Sequence, residues 1–517
     1  MTDSNWLSET RPDGAATVIL LGPATPETLA AEAEAFPKGV LWLHPPVITP
    51  PANLPQNLAA LPLDSPPETL TDTLDRFIRL EYDHAPAVKV GTQLAEADPA
   101  SYASVLDQIV ATIDSTLRAR RTRRDTGVLR QELVFRNLPG YLRSRVPENW
   151  RGSAAGSLAL VVGAGPSLDV TLPLLKKDFP APVILAAHSA LSALSSADLH
   201  PHFTLSLDPE KTHVACAPPE YRPGQVILST QAHPGWAELW GDDARYLSGR
   251  VLAEDWLAAK GIPKTNLLAV NNSGLAALLF ADFLEPAAIL LLGMDLAAGK
   301  HPSDRYATST GRAHLQVHAA HLHRIPGNFA DTVSTPFLSD WSETSETCAA
   351  IAAKRPVLNL NDRGARLKGA DLIHPDSIDE LRNALAQAIC PHQTDSTLLA
   401  QKRELTGPGL DQILGLLATH CDKARKVILP LLHDAALPRE KLRALRELLA
   451  ESETATLFGD YAFAVMPEIA PGKEPEPEHL DLRLRELQHL LQRLEDAIVQ
   501  ANPSDSFLAR FLTQSFA

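Results

Sequence analysis

Paired cysteines, a basic leader and apolar runs of membrane length are all missing from this sequence of 517 residues. Its four cysteines, Cys216, Cys348, Cys390 and Cys421, lie far apart with no CxxC pair. That spacing excludes a zinc knuckle and a disulfide framework and fits a reduced compartment. The opening stretch MTDSNWLSETRPDG has no basic region followed by an apolar one, and nothing approaches the ~20 apolar residues of a membrane span. The expectation is a soluble, cytoplasmic chain with no membrane span. Positive charge is also short. A formal net charge of −15 argues against a nucleic-acid surface, which needs clustered Lys and Arg. The exception, Arg118, Arg120, Arg121, Arg123 and Arg124, reads as a solvated helix face or linker.

What is present is an ordinary globular balance, 45% hydrophobic and 21% charged, with 42 prolines, many of them in linkers. A single core stops growing at roughly 250 to 300 residues, so several domains are expected. Residues 17 to 22 (TVILLG) and 39 to 43 (GVLWL) read as buried strands around a helix, a small α/β domain over 1–97. A helical linker follows over 98–154, in which SYASVLDQIVATIDSTLRARR is the clearest piece.

From 155 to 378 continuous apolar runs alternate with helical spacers: LALVV, VILAA, FTLSL, QVILS and AAILLLG. Runs buried on both faces suit a Rossmann-like parallel sheet sandwiched by helices, whose ligands bind at the carboxyl ends of the strands. After 378 the chain reads as a C-terminal helical bundle. Leu480, Leu484, Leu487, Leu491, Leu494 and Ile498 form one packing stripe, preceded by a loop over 466–479.

The sharpest chemical signal is Gly163-Ala164-Gly165-Pro166-Ser167-Leu168 directly after LALVV. Its glycines allow close approach of backbone to a ligand, and the helix expected after it would turn free N–H groups toward a phosphate. Leu168 replaces the third glycine of GxGxxG, so NAD is not expected. His188 and Ser189, then Asp208, follow the second and third strands and would line the same crevice. No Asp-x-Asp pair stands at a strand end, which weakens a metal-bridged diphosphate donor. Asn271, Asn272, Ser273 and Gly274 open a helix and are caps or nucleotide contacts. Gly293, Met294 and Asp295 end the last run and lead into a polar loop with His301, Asp304, Arg305, Tyr306, Arg312 and His314. His314, His318 and His321 share one helical face, a spacing that suits a metal. No carboxylate or cysteine completes the set, and a general base is the favoured reading.

Several stretches together resemble the motility accessory factors, whose central domain is also similar to the 6-hydroxymethylpterin diphosphokinase MptE-like family: VVGAGPSLD, HPHFTLSLDP, AVNNSGLAALLFADFL, ILLLGMDLA, IPGNFADTVSTPFLSDW and LNLNDRGARLKGA. They follow in order over about residues 155 to 375. The last departs from the family by placing Asp362-Arg363 where it shows a glutamate-glycine pair.

The resemblance implies a sialyltransferase-like catalytic domain that moves pseudaminic or legionaminic acid from a CMP-sugar donor to serine or threonine of flagellin or another protein, without a required metal or cofactor. It places Gly163, Gly165, Pro166, Ser167, Asp208, Asn271, Ser273, Gly293 and Asp295 on the donor side, and position after the second strand and at the helix start adds His188 and Asn272 as substrate-binding candidates. It matches Tyr306 to the leaving phosphate and His314 to the acceptor proton, a role that His301 in the same polar loop could also take. Pyrophosphate transfer to a pterin alcohol and a non-catalytic flagellin-binding scaffold are the alternatives.

Overall fold

The computed structural model describes residues 6–10, 12, 14–78, 85–91, 99–175, 182–270, 272–298, 304–312, 322–389, 405, 408–433 and 437–502. They form two compact units, 1–125 and 126–517. Among them no helix is long and apolar enough to cross a membrane.

The first unit is a five-stranded sheet in the order β1-β5-β2-β3-β4, with β1 Trp6–Thr10, β2 Thr17–Leu21, β3 Gly39–His44, β4 Leu58–Pro62 and β5 Ala87–Gly91. All neighbours are parallel except β1 with β5. Side chains alternate across a strand. Ile19, Leu21, Leu41 and Leu43 therefore meet helices Pro67–Ile78 and Pro99–Asp125. Val18, Leu20, Val40 and Trp42 meet Leu29 and Phe36 on the other face. The stretch expected as one helical linker thus divides: Pro99–Asp125 completes the first unit, whereas Gly127–Arg143 belongs to the second.

The second unit is α/β, built on an eight-stranded, wholly parallel sheet flanked by helices. Its order is β10-β9-β8-β7-β6-β11-β14-β15, where β6 is Leu158–Val162, β7 Val183–Ala187, β8 Phe203–Ser206, β9 Gln225–Ser229, β10 Ala244–Leu247, β11 Ala288–Leu292, β14 Val357–Leu360 and β15 Asp371–Ile373. A hairpin, β12 His323–Pro326 and β13 Thr332–Thr335, stands apart. The apolar runs read from the sequence supply β6 to β9 and β11. They are apolar throughout because both faces are covered. Ala159, Val161, Leu185 and Leu291 face Phe280, Trp150 and Cys348, while Leu158, Leu160, Val162 and Leu290 face helix Gly127–Arg143 and the C-terminal helices.

Those C-terminal helices share this second core and lie within the same compact unit. Pro477–Ala501 buries the six residues of the leucine stripe. The loop expected over 466–479 is shorter, because helix Gly459–Ile469 continues through Pro467 and the next helix starts at Pro477. Gln131 fastens the layers: its Nε2 donates to the Leu457 carbonyl at 3.1 Å and its Oε1 accepts from the Asp460 N–H at 3.1 Å.

Candidate active site at the carboxyl end of the central sheet

Strand order reverses between β6 and β11, and the turns that follow these two strands are bound to each other. The Gly163 N–H donates to the Leu292 carbonyl and the Gly165 N–H to that of Gly293, each at 2.8 Å. A Cβ on Gly163 would lie 2.4 Å from the Gly293 carbonyl oxygen, and one on Gly165 would lie 2.4 Å from Asp295 Oδ2. Gly293 has φ +62°, a conformation that favours glycine. Buried Asp295 closes the junction. Its Oδ2 accepts from the Ser167 N–H at 2.7 Å and its Oδ1 from Asn361 Nδ2 at 2.8 Å. Burial pushes its carboxyl up, opposed by the Ser167 and Asn361 hydrogen bonds and the charge of Arg363.

This corrects the sequence reading. The N–H groups of Gly165 and Ser167, expected to face a phosphate, are engaged by protein acceptors, Ser167 is fully buried, and the helix that follows is only Leu168–Thr171. Four residues give no appreciable dipole end. Gly163, Gly165, Ser167, Gly293 and Asp295 form a frame, with Pro166 on the same turn. What the turn positions is the polar loop. The Ala307 N–H donates to the Ala164 carbonyl at 2.9 Å, and Asp169 accepts from the N–H groups of Thr308 (2.7 Å) and Ser309 (2.9 Å). Burial raises the Asp169 carboxyl, but these donors outweigh it and hold it below the usual range.

A second group lies at the ends of β7 and β8. His188 Nδ1 is 3.2 Å from the Leu205 carbonyl oxygen and 3.0 Å from Ser273 Oγ. A carbonyl only accepts, so Nδ1 carries the proton and Nε2 is a bare acceptor, buried without a partner among the described residues. Burial and the nearby Lys211 charge lower the pKa of this imidazole to about 3, leaving it neutral. Asp208 Oδ2 is 3.0 Å from Lys211 Nζ, and its Oδ1 accepts from the Glu210 N–H at 2.9 Å. Burial raises that carboxyl, and Lys211 and Glu210 bring it net below its ordinary value. Trp236 Nε1 holds the Lys211 carbonyl at 2.8 Å.

Cations converge above these groups. The Arg305 guanidinium stacks 5.2 Å from the Tyr306 ring centroid and 4.6 Å from that of Phe337, and Arg312 covers Tyr306 at 5.2 Å. Arg312 is fixed by its bond to the Ala215 carbonyl at 2.7 Å. Asn272 caps helix Ser273–Phe283, accepting from the Leu275 N–H at 2.7 Å, and its Nδ2 points at Asp340 Oδ1, 3.5 Å away. Burial raises the Asp340 carboxyl, with Asn272, Arg305 and Lys211 acting against it.

His188, Asp208, Asn272, Ser273 and Tyr306 are therefore brought to one end of the sheet. Asn271, His301, His314, His318 and His321 lie outside the described residues. Sequence reading missed Lys211, one turn beyond Asp208, and Asp340, inside the stretch IPGNFADTVSTPFLSDW but with no spacing to mark it.

Residues 134–301 match the model of the family described as 6-hydroxymethylpterin diphosphokinase MptE-like. The similarity is confined to this central segment, about a third of the chain. The solved structure of a Maf glycosyltransferase from Magnetospirillum magneticum AMB-1 is similar to the chain at 17% identity and a TM-score of 0.44, covering 97% of this chain and 76% of that one. No curated protein matches. The matched segment holds the glycine turn, His188, Asp208, Lys211, Asn272, Ser273 and Asp295. Asp340, Tyr306 and Arg312 lie beyond it.

Proposed function

We propose that this chain is a cytoplasmic glycosyltransferase that moves a nonulosonic acid from a CMP-activated donor to a serine or threonine hydroxyl of a protein acceptor, flagellin being the acceptor the sequence resemblance points to. The observation that carries the reading is the stacking of Arg305 and Arg312 on Tyr306, with Lys211 paired to Asp208 after β8 at the same end of the sheet. The charges of Lys211 and Arg305 oppose the raised carboxyl of Asp340, and those of Lys211 and Arg312 lower the His188 imidazole.

The reaction is a single in-line displacement with inversion. The acceptor hydroxyl attacks the anomeric carbon, the bond from that carbon to the phosphate oxygen breaks, and the electron pair stays on the departing CMP. Charge grows on that phosphate as the bond lengthens. Fixed cations stabilise such charge because they need no reorganisation when it appears. Lys211 is held by Asp208, and Arg305 and Arg312 by aromatic and backbone contacts. The Tyr306 hydroxyl would add a donor, and Ser273 and Asn272 would contact the nucleotide, with buried His188 bonded behind Ser273. The catalytic region is assigned to 155–378, and no metal or cofactor is needed for a monophosphate leaving group.

Calorimetric titration of the full chain with CMP tests this. Saturable binding is expected, weakened roughly 10- to 100-fold in Lys211→Met, as the loss of one charged hydrogen bond implies. The description of the matched family favours a second reading, pyrophosphate transfer from ATP to a pterin alcohol. Binding of magnesium-ATP and not CMP would establish that reading, and flagellin binding with neither nucleotide would leave a scaffold.

A further inference from the structure

We propose that Asp340 is the group that takes the proton from the acceptor hydroxyl, an assignment that rests on the glycosyl-transfer reading above. Asp340 lies on the first turn of helix Leu338–Ala352, half-buried, with the charges of Arg305 and Lys211 acting on it. Asn272 faces it from the start of helix Ser273–Phe283. Asn272 must turn Oδ1 to the Leu275 N–H to cap its helix, which leaves Nδ2 aimed at Asp340 Oδ1. That amide occupies one side of one oxygen, and Oδ2 has no hydrogen bond from a described protein donor. Ser273, next in sequence to Asn272, bonds His188, so carboxylate and imidazole are joined through adjacent residues at the edge of one helix.

His188 does not fit the role. It is fully buried and its proton sits on Nδ1, toward the Leu205 carbonyl. Asp208 does not fit it either, because Lys211 and the Glu210 N–H occupy its two oxygens. Asp340 keeps solvent access and an oxygen to spare. Its burial makes it a stronger proton acceptor than a surface aspartate. The charged groups acting on it are Arg305 and Lys211 from other elements and Glu343 one turn along its own helix, which Arg250 in turn offsets.

In the step assigned here the acceptor O–H bond breaks as the oxygen forms its bond to the anomeric carbon. The proton passes to an Asp340 oxygen while the CMP oxygen keeps the electrons of the broken glycosidic bond. The protonated Asp340 then returns its proton to water. A carboxylate with a raised pKa, beside cations already placed for the leaving group, brings base and electrophile to one crevice.

The experiment compares full-length wild type, Asp340→Asn, Asp340→Ala and Asp340→Glu. It uses flagellin as acceptor with CMP-pseudaminic or CMP-legionaminic acid as donor, beside CMP titration of each protein. Asp340→Asn is expected to bind CMP as wild type does and to lose about 100- to 10,000-fold in kcat, the usual contribution of a general base. Its pH profile should lose the acidic limb that wild type shows, Asp340→Glu should keep a limb at reduced rate, and added formate should restore turnover to Asp340→Ala. Asp340→Asn turning over at the wild-type rate overturns the assignment while leaving the glycosyl-transfer reading in place. So does loss of the limb in His314→Ala or His301→Ala instead. Failure of wild type to bind CMP or use either donor overturns the reading itself.

Discussion

Gly165 and Asp295 approach so closely that no side chain fits between them: a Cβ on Gly165 would stand 2.4 Å from Oδ2 and 2.8 Å from the Asp295 Cβ. Asp295 cannot retreat, because its other oxygen holds Asn361 and its carbonyl accepts from the Ala365 N–H at 2.8 Å. Gly165→Ala is therefore expected to push the carboxylate off the Ser167 N–H. The loss is about 1 to 3 kcal/mol from overpacking. A further cost of the same order arises if the buried acceptor is left unmade. Urea melts of the variant check this, and a midpoint equal to wild type would show that the frame yields.

The neutral state of His188 makes stability depend on pH. Its pKa falls from an ordinary 6.5 to about 3 on folding, so between those values the unfolded chain binds more protons than the folded one. The contribution is complete above pH 6.5 and is lost as pH falls toward 3. His188→Asn keeps a donor amide toward the Leu205 carbonyl and cannot be protonated. Its unfolding free energy, from urea melts across that range, should fall less steeply with acid than that of wild type. Parallel curves would mean that other groups set the slope.

Much of this architecture was legible because its causes are local. LALVV, VILAA, QVILS and AAILLLG form central strands because both faces of the sheet are covered, and continuous apolarity states that directly. The leucine stripe of Pro477–Ala501 is legible for the same reason. The boundary between units was less so, since Pro99–Asp125 and Gly127–Arg143 both read as helix and only their partners differ. At the site, GxGPS was read as a close approach of backbone to a ligand, whereas the approaching group is the turn after β11 and its Asp295, more than a hundred residues away in sequence. Lys211 and Asp340 could not be singled out, because a lysine in a loop and an aspartate on a helix acquire meaning only from what faces them.

Glu254 carries the opposite dependence to His188. It is buried at the start of helix Leu252–Ala259, where Oε1 accepts from Thr230 Oγ1 and Oε2 from the Gly249 N–H, each at 2.6 Å. These bonds link the ends of β9 and β10. Burial still dominates, and the carboxyl is pushed up from 4.5 to about 7. The folded chain therefore binds more protons than the unfolded one between those values, and stability falls as pH rises through that window. Glu254→Gln keeps one acceptor oxygen and removes the titration, at the expense of setting an amide N–H against one of the two donors. Below about pH 5 the variant should be the less stable protein, by roughly the 1 to 3 kcal/mol of a mismatched buried hydrogen bond. Toward pH 8 the gap should narrow, because only wild type must then hold a buried charge. Chemical denaturation of both proteins at pH 5, 6.5 and 8 measures that gap. A difference that stays constant would show that Glu254 is ionised throughout, with Lys264 and the two hydrogen bonds outweighing its burial.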